Sequence, residues 1–263
     1  MMSEQTTLPL SSITAVITGG SSGLGFATAQ HLLQRGATVA LFDIDREKGE
    51  KAVREAGGNS HFYPVNVCSE DEVSDALQAF REKAGRINLC VSCAGIAPAA
   101  RTLDKSGNAA SFDQFRKVTD INLNGTFNVS RLAAQTMAAQ EADENGERGV
   151  IINTASIAGY EGQTGQTAYA ASKAGIIGMT LPMARDLAAV GIRVNAIAPG
   201  VMGTPMLLAM PEHVQAALSA NVPFPKRLGL PEEFAALVAH IALNTYINGE
   251  TIRLDGALRM PPK

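Results

Sequence analysis

Tryptophan is missing altogether from this 263-residue chain, and cysteine occurs only three times. Cys68, Cys90 and Cys93 cannot form a fully paired disulfide framework, which excludes a disulfide-stapled scaffold and suits a reducing compartment. Cys90 and Cys93 form a lone CxxC inside the apolar run INLCVSCAG, with no second Cys/His pair to complete a zinc site, so buried free thiols and no bound metal are expected. Charge of one sign is also scarce: 22 Lys and Arg against 25 Asp and Glu leave a net charge of −3. That balance lacks the basic field that nonspecific nucleic-acid binding requires. The uncharged stretches, such as Asn195 to Pro211, are broken by Gly and Pro before they reach the ~20 apolar residues of a spanning helix, so no membrane insertion is expected. The start, MMSEQTTLPLSS, has no Lys or Arg and resembles neither a secretory signal nor a transit peptide. The cytoplasm is the expected compartment, with the mitochondrial matrix as the alternative in a eukaryote.

What the chain does have is glycine, 25 residues in all, and a regular alternation of strand-like and helix-like segments. Runs rich in Val and Ile at Ile13 to Thr18, Thr38 to Phe42, His61 to Val65, Ile87 to Ser92, Val150 to Thr154, Ile192 to Ile197 and Glu250 to Leu254 read as strands. Amphipathic stretches of helical length lie between them. Such alternation predicts an α/β fold: a doubly wound, Rossmann-type parallel sheet of about seven strands with helices on both faces. No repeat or linker divides the chain, so residues 1–263 are read as one domain behind a short tail, residues 1–11.

Two irregular regions interrupt the rhythm, at Ala97 to Ser111 and over the proline-rich stretch Pro199 to Pro231. Insertions of this length usually carry function, and the second reads as a substrate lid. Within it Thr204 and Pro205 predict a helix start and Pro211 a stop about two turns later. Met202, Met206 and Met210 fall four apart and offer either an adaptable apolar face over a ligand or ordinary core.

The turn after the first strand reads Thr18-Gly19-Gly20-Ser21-Ser22-Gly23-Leu24-Gly25 and opens a helical pattern. Glycines there let the backbone approach a pyrophosphate, and the following helix start offers unpaired N–H groups and the positive end of its dipole. Asp43 closes the second strand, where an acid can hold the hydroxyls of an adenosine ribose and repel a 2′-phosphate. NAD is therefore expected in preference to NADP, with Arg46 the one nearby cation that softens the preference.

Tyr169 and Lys173 lie one helical turn apart in AYAASKAG. An ammonium beside a phenol favours the phenolate and would make Tyr169 a usable acid/base near neutrality. Ser156, after the strand ending at Thr154, can donate a hydrogen bond to a carbonyl or alkoxide. No histidine or GxSxG accompanies it, so acyl-serine chemistry is not expected.

Taken together, TGGSSGLG at Thr18 to Gly25, Asn122 in DINLNGTFNV, Ser156 in IINTASIAG, YAASK at Tyr169 to Lys173 and IAPG at Ile197 to Gly200 resemble the short-chain dehydrogenase/reductase family, in the family's own order. The resemblance spans Ile13 to Met260. The longer runs RGVIINTASIAGYEGQTGQTAYAASKAGIIGMTLPMARDLA, VPFPKRLG and NGETIRLDGALRM are similar to the type-2 3-hydroxyacyl-CoA dehydrogenases within it.

This resemblance implies a catalytic set of Asn122, Ser156, Tyr169 and Lys173. Tyr169 would exchange a proton with the substrate oxygen, Ser156 would orient that oxygen, Lys173 would hold the nicotinamide ribose, and Asn122, mid-helix, would position a water connecting Lys173 to solvent. It implies an NAD site formed by Gly19, Ser21, Ser22, Gly23, Leu24, Gly25, Asp43, Asn66, Val67, Cys93, Ala94, Gly95, Pro199, Gly200 and Thr204 together with Tyr169 and Lys173. Gln163 and Leu207, with Tyr160 and Leu208, are candidates to face an acyl chain, and Arg101 and Lys105 to face the CoA phosphates. Ser92-Cys93-Ala94-Gly95 departs from the family's usual Asn-Asn-Ala-Gly, and Asn66 stands where an Asp commonly contacts adenine. The expected reaction is (S)-3-hydroxyacyl-CoA to 3-oxoacyl-CoA by a homotetramer acting on a small-molecule substrate. A hydroxysteroid or other hydrophobic alcohol is the alternative substrate, and a nucleotide-sensing or scaffold protein on the same fold the alternative class.

Overall fold

Within each strand the side chains alternate between two cores. In β1 (Thr14–Thr18) Ala15 and Ile17 join one core while Val16 joins the other, and in β2 (Thr38–Asp43) Val39 and Leu41 oppose Ala40 and Phe42. The computed structural model describes residues 9–262. Over them run β3 (Asn59–Pro64), β4 (Leu89–Ser92), β5 (Gly149–Thr154), β6 (Ile192–Pro199) and β7 (Thr251–Leu254). All seven strands pair in parallel, in the order β3-β2-β1-β4-β5-β6-β7. Each expected strand is present with its ends shifted by at most two residues. Of the expected tail, residues 1–8 lie outside the described residues, and Leu10–Ser12 form a 3₁₀ turn.

A parallel ladder needs crossovers, and these bury the sheet on both faces. On one face lie α1 (Gly23–Leu33), α2 (Arg46–Ala56) and α9 (Pro231–Leu243), with Leu32, Ala52, Phe234 and Val238 against the sheet. On the other lie α3 (Glu70–Ala84), α5 (Gly125–Ala138) and α6 (Thr167–Leu187), contributing Leu77, Phe80, Leu132, Met137 and Met183. Side-chain caps start α2 (Asp45 to the Lys48 N–H, 3.0 Å), α3 (Ser69 to Glu72, 3.3 Å) and α4 (Phe112–Thr119; Ser111 to Gln114, 3.2 Å). The end of α9 is held by a buried cation instead. Arg193, on β6, donates to the carbonyls of Ile241 (2.9 Å), Ala242 (3.0 Å), Asn244 (3.3 Å) and Ile247 (2.9 Å) and pairs with Glu147 at 3.0 Å.

Between α4 and α5 the helix does not stop. Residues Asp120–Asn124 form a π turn, one residue wider than the α repeat, so Asn122 lies in a bulge rather than in a regular helix interior.

The two irregular regions are ordered differently from expectation in places. The first forms a small antiparallel bridge, Leu103 to Ala109, and is pinned at its base by the Ala100 N–H on the Gly165 carbonyl at 2.8 Å. In the second, the helix after Thr204 is a single turn, α7 (Pro205–Leu208), and Thr204 makes no side-chain cap bond. Met210 cannot stay helical before Pro211, whose extended backbone instead leads into α8 (Glu212–Ala220). The methionine spacing consequently has no helix to act on. Met202 precedes α7 and is buried in the core beside Gly229, Met210 is exposed, and the side chain of Met206 lies outside the described residues. No helix among the described residues is long and apolar enough to cross a membrane.

Candidate active site

Because β1 continues to β2 on one side and its other neighbour is β4, the chain leaves the sheet in opposite directions at that point and opens a crevice at the carboxyl ends of the strands. The glycine turn fills its floor. Gly19 has φ of +61°, and a Cβ there would stand 2.9 Å from the Ala94 nitrogen; a Cβ on Gly25 would collide with the Gly19 carbonyl. Ser22 occupies the N-cap of α1 without a side-chain cap bond, and the buried Ser21 hydroxyl has no partner among the described residues. The first-turn N–H groups of Gly23 and Leu24 thus stand at an uncapped helix start, beside a hydroxyl that lacks a partner. A dinucleotide pyrophosphate would satisfy these groups. Thr204 approaches the same turn from the second irregular region, its Cγ2 3.6 Å from where a Gly23 Cβ would be.

The rest of the expected cofactor set surrounds this turn. Asp43 accepts the Ser21 and Asp45 N–H groups, each at 3.2 Å, which fixes its carboxylate at the edge of the crevice. Thr18, which the sequence reading did not single out, accepts the N–H groups of both Cys93 and Ala94 at 3.2 Å. It ties β1 to the segment Cys93-Ala94-Gly95. Cys90 is buried and Cys93 partly so, and burial pushes their thiols up to about 12 and about 11. Both are inert at neutral pH. The Asn66 amide oxygen, expected to face adenine, accepts the Cys68 N–H at 3.0 Å in a local turn, leaving one lone pair for a ligand. Val67 packs on Gly125 and its carbonyl takes the Asn128 amide. Pro199 ends β6, and Gly200 bonds back to Leu254 at 2.9 Å, so close to Asp255 that a Cβ would not fit.

Across the crevice, Ser156 caps the 3₁₀ turn Ile157–Gly159, accepting the Ala158 N–H at 3.1 Å. Tyr169, which α6 presents from its first turn, lies near enough for the Ser156 hydroxyl to favour its phenolate form. Lys173, one turn on, is buried; its Nζ donates to the Thr154 carbonyl at 2.7 Å and stands 5.7 Å from the centroid of the Tyr169 ring. Burial raises Tyr169 above the usual phenol range, opposed by the nearby Ser156 hydroxyl, and burial lowers Lys173 to about 8. The expected depression of the phenol by the ammonium is therefore not found: the two groups share a helix face, but burial dominates both.

Asn122 has a structural task that its sequence context does not show. Its amide holds one backbone position, accepting the Ile96 N–H and donating to the Ile96 carbonyl, both at 2.8 Å, with a longer contact of 3.3 Å to Ser172. It fastens the segment after Gly95 to α6, and its amide oxygen keeps one lone pair.

Beside Ser156 lies an apolar cleft of about 250 Å³, walled by Gln163, Val201, Val214, Leu218, Leu258 and Met260. Ile157, adjacent to Ser156, packs with Val201, Leu258 and Met260. Gln163 lines this cleft, its amide donating to the Pro261 carbonyl at 3.0 Å. Leu207 and Leu208 are not among the lining residues, and Tyr160 stacks under the Arg253 guanidinium at 5.2 Å, half exposed. A second cleft of about 230 Å³ lies between the first irregular region and the starts of α4 and α6, and includes Ala100, Thr102, Phe115 and Ala168. Arg101 is exposed between two of those residues, with Lys105 exposed further out.

The family model described as enoyl-(acyl carrier protein) reductase matches residues 19–258. The chain is 53% identical over 251 residues to the 3-hydroxyacyl-CoA dehydrogenase type-2 of Rattus norvegicus, covering 95% of this chain and 96% of the relative, and equally so to that of Homo sapiens. Among solved structures it is similar to the 3-hydroxyacyl-CoA dehydrogenase type-2 from Mycobacterium avium, with a TM-score of 0.92, 49% identity, and 95% and 97% of the two chains covered.

Proposed function

The chain belongs to the short-chain dehydrogenase/reductase family, and from that premise we propose that it is an NAD-dependent 3-hydroxyacyl-CoA dehydrogenase. The observation that carries this reading is the grouping of Tyr169 with the Ser156 hydroxyl and the Lys173 ammonium, with Ile157, next to Ser156, packed on Leu258 in the wall of an apolar cleft. Two relatives at 53% identity that bear the name 3-hydroxyacyl-CoA dehydrogenase support the substrate class.

The residues present fit a dinucleotide. Gly19, Gly23, Gly25 and the uncapped start of α1 would receive the pyrophosphate, with the Ser21 hydroxyl and Thr204 as further donors. Asp43 would hold the adenosine ribose and disfavour a 2′-phosphate, which is the support for NAD over NADP. When bound, the nicotinamide supplies the acceptor or donor of hydride. Ser156 donates to the substrate oxygen and fixes its distance from Tyr169, whose hydroxyl takes or gives the proton. Lys173, still mostly protonated at pH 7, stabilises the phenolate as it forms. Asn122 holds Ile96 and so keeps the Cys93-Ala94-Gly95 wall of the crevice in place.

The acyl end of the substrate would occupy the cleft beside Gln163, and the second cleft, with Arg101 exposed between two of its lining residues, would take the CoA arm. On this reading the whole chain acts as one unit in which 199–231 is the lid, assembled as a homotetramer in a reducing compartment that suits its free thiols.

The test is oxidation of NADH by acetoacetyl-CoA, followed at the absorbance of the reduced cofactor. Turnover is expected with NADH and little with NADPH, and Tyr169→Phe should lower kcat by about 10² to 10⁴ while leaving NADH binding intact. Full activity in Tyr169→Phe would reject the assignment, and a monomer by sedimentation would reject the assembly.

A further inference from the structure

The wall of the cleft opposite α8 is the segment after β7, and it is fastened by charge. Past Asp255 the chain turns through Gly256 and Ala257, with φ of +58° and +66°, and returns so that Leu258 packs on Ile157. From β7 the Arg253 guanidinium grips both oxygens of Glu161, at 2.8 and 3.1 Å, bonds Asp255 at 2.7 Å and takes the Leu258 carbonyl at 2.9 Å. Arg259 reaches the same Glu161 at 3.5 Å and Asp255 at 3.3 Å, and the Met260 N–H reaches Glu161 at 3.4 Å.

Glu161 belongs to the segment joining Ser156 to Tyr169. That segment is bound further along as well: the Gln163 amide donates to Pro261, and the Thr164 N–H and hydroxyl both donate to Pro262, each at 3.0 Å. A forked, charge-assisted grip by arginine fixes direction as well as distance. The opposite wall has no such hold, since α8 buries none of its residues. The cleft therefore has one latched wall and one lightly packed wall.

We propose that Glu161 is a positioning residue for the substrate cleft: with Arg253 and Arg259 it locks residues 258–261 as the wall against which the acyl chain lies, and so sets the chain length the enzyme accepts. This rests on the acyl-CoA reading of the site. Glu161 touches neither reacting atoms nor the glycine turn, so its effect falls on substrate fit rather than on proton transfer.

The experiment compares full-length wild type, Glu161→Gln and Arg259→Gln in NADH oxidation with 3-oxoacyl-CoA substrates from acetoacetyl-CoA upward in two-carbon steps. NADH affinity, Tm and amide exchange at Met260 and Thr164 are measured alongside. Glu161→Gln should raise KM for acetoacetyl-CoA by about tenfold with kcat within about twofold, and shift preference toward longer chains. NADH affinity should hold while the Met260 and Thr164 amides exchange faster. Arg259→Gln, at an exposed position that does not threaten folding, should move the same readouts in the same direction by less. Wild-type KM and chain-length preference in both variants would overturn the proposal. So would a joint fall of kcat, NADH affinity and Tm, which marks a merely structural role. A wild type that reduces no 3-oxoacyl-CoA at all would instead overturn the substrate reading on which the proposal stands.

Discussion

Lys173 and Tyr169 share a helix face at 5.7 Å, yet the ammonium is bonded to the Thr154 carbonyl rather than to the phenol. Burial brings Lys173 down to about 8, so in the protein alone it is a charge held at the expense of stability, poised to act when a ligand fills the crevice.

A stability test follows from that poise. The unfolded chain holds this proton to about pH 10.5 and the folded chain only to about 8, so between those values the unfolded state binds more protons and the lysine's contribution to stability rises with pH. Below pH 8 the buried charge costs roughly 3 kcal/mol. Lys173→Met is expected to unfold at higher urea than wild type at pH 7, with the gap closing toward pH 10, while losing nearly all turnover. A variant less stable than wild type at pH 7 would contradict it.

Cofactor preference should turn on Asp43. Its carboxylate sits at the crevice edge by way of two backbone N–H groups, and a 2′-phosphate about 4 Å away would meet roughly 1 to 4 kcal/mol of repulsion. Asp43→Ser is expected to raise kcat/KM for NADPH relative to NADH by about tenfold or more. An unchanged ratio would show that the acid does not face the ribose.

Arg101 offers a way to separate the two ends of the substrate. Exposed between Ala100 and Thr102, which line the second cleft, it would pair with a CoA phosphate in water-rich surroundings, where an ion pair is worth up to about 1 kcal/mol. Arg101→Ala should raise KM for acetoacetyl-CoA by about three- to fivefold, more weakly at high salt, and leave a ketone without CoA unaffected. Equal effects on both substrates would place the CoA arm elsewhere.

Removing Arg193 should damage the fold rather than the chemistry. It satisfies four carbonyls at the end of α9 and balances the nearly buried Glu147. Arg193→Met leaves those groups without a partner and is expected to cost about 3 to 5 kcal/mol in urea unfolding. Arg193→Met together with Glu147→Leu should recover part of that loss, because the stranded carboxylate is then gone.

The sheet could be read almost directly from the chain, because a parallel strand covered on both faces is rich in Val and Ile: Val150-Ile151-Ile152 stands out on that ground alone, and Ile192 to Ile197 keeps the signal despite Arg193 and Asn195. The glycine turn and the Tyr169–Lys173 pair were legible because their spacing has local geometric meaning. What the residues did not reveal depends on partners distant in sequence. Thr18 gives no sign that it will tie Cys93 and Ala94, nor Asn122 that its amide will be spent on Ile96. The helix start at Pro205 is legible, but its length is not: Pro211 marks a stop, and a proline disfavours helix at the residue before it as well. The electrostatics of Tyr169 are hidden for a different reason: adjacency is visible in sequence, but desolvation is a property of everything packed around it.

The wide turn at Asp120–Asn124 works as a phase shifter in a rod that would otherwise be continuous from Phe112 to Ala138. One residue of an α-helix rotates its successors by about 100°. Deleting a single residue from this bulge would let an unbroken spiral form, yet would swing Val129, Leu132 and Met137 out of the sheet's groove or else wrench Asn122 away from its anchor. The two halves of the rod are therefore angularly decoupled, and any graft that transplants them as one regular cylinder would arrive with one end facing the wrong way.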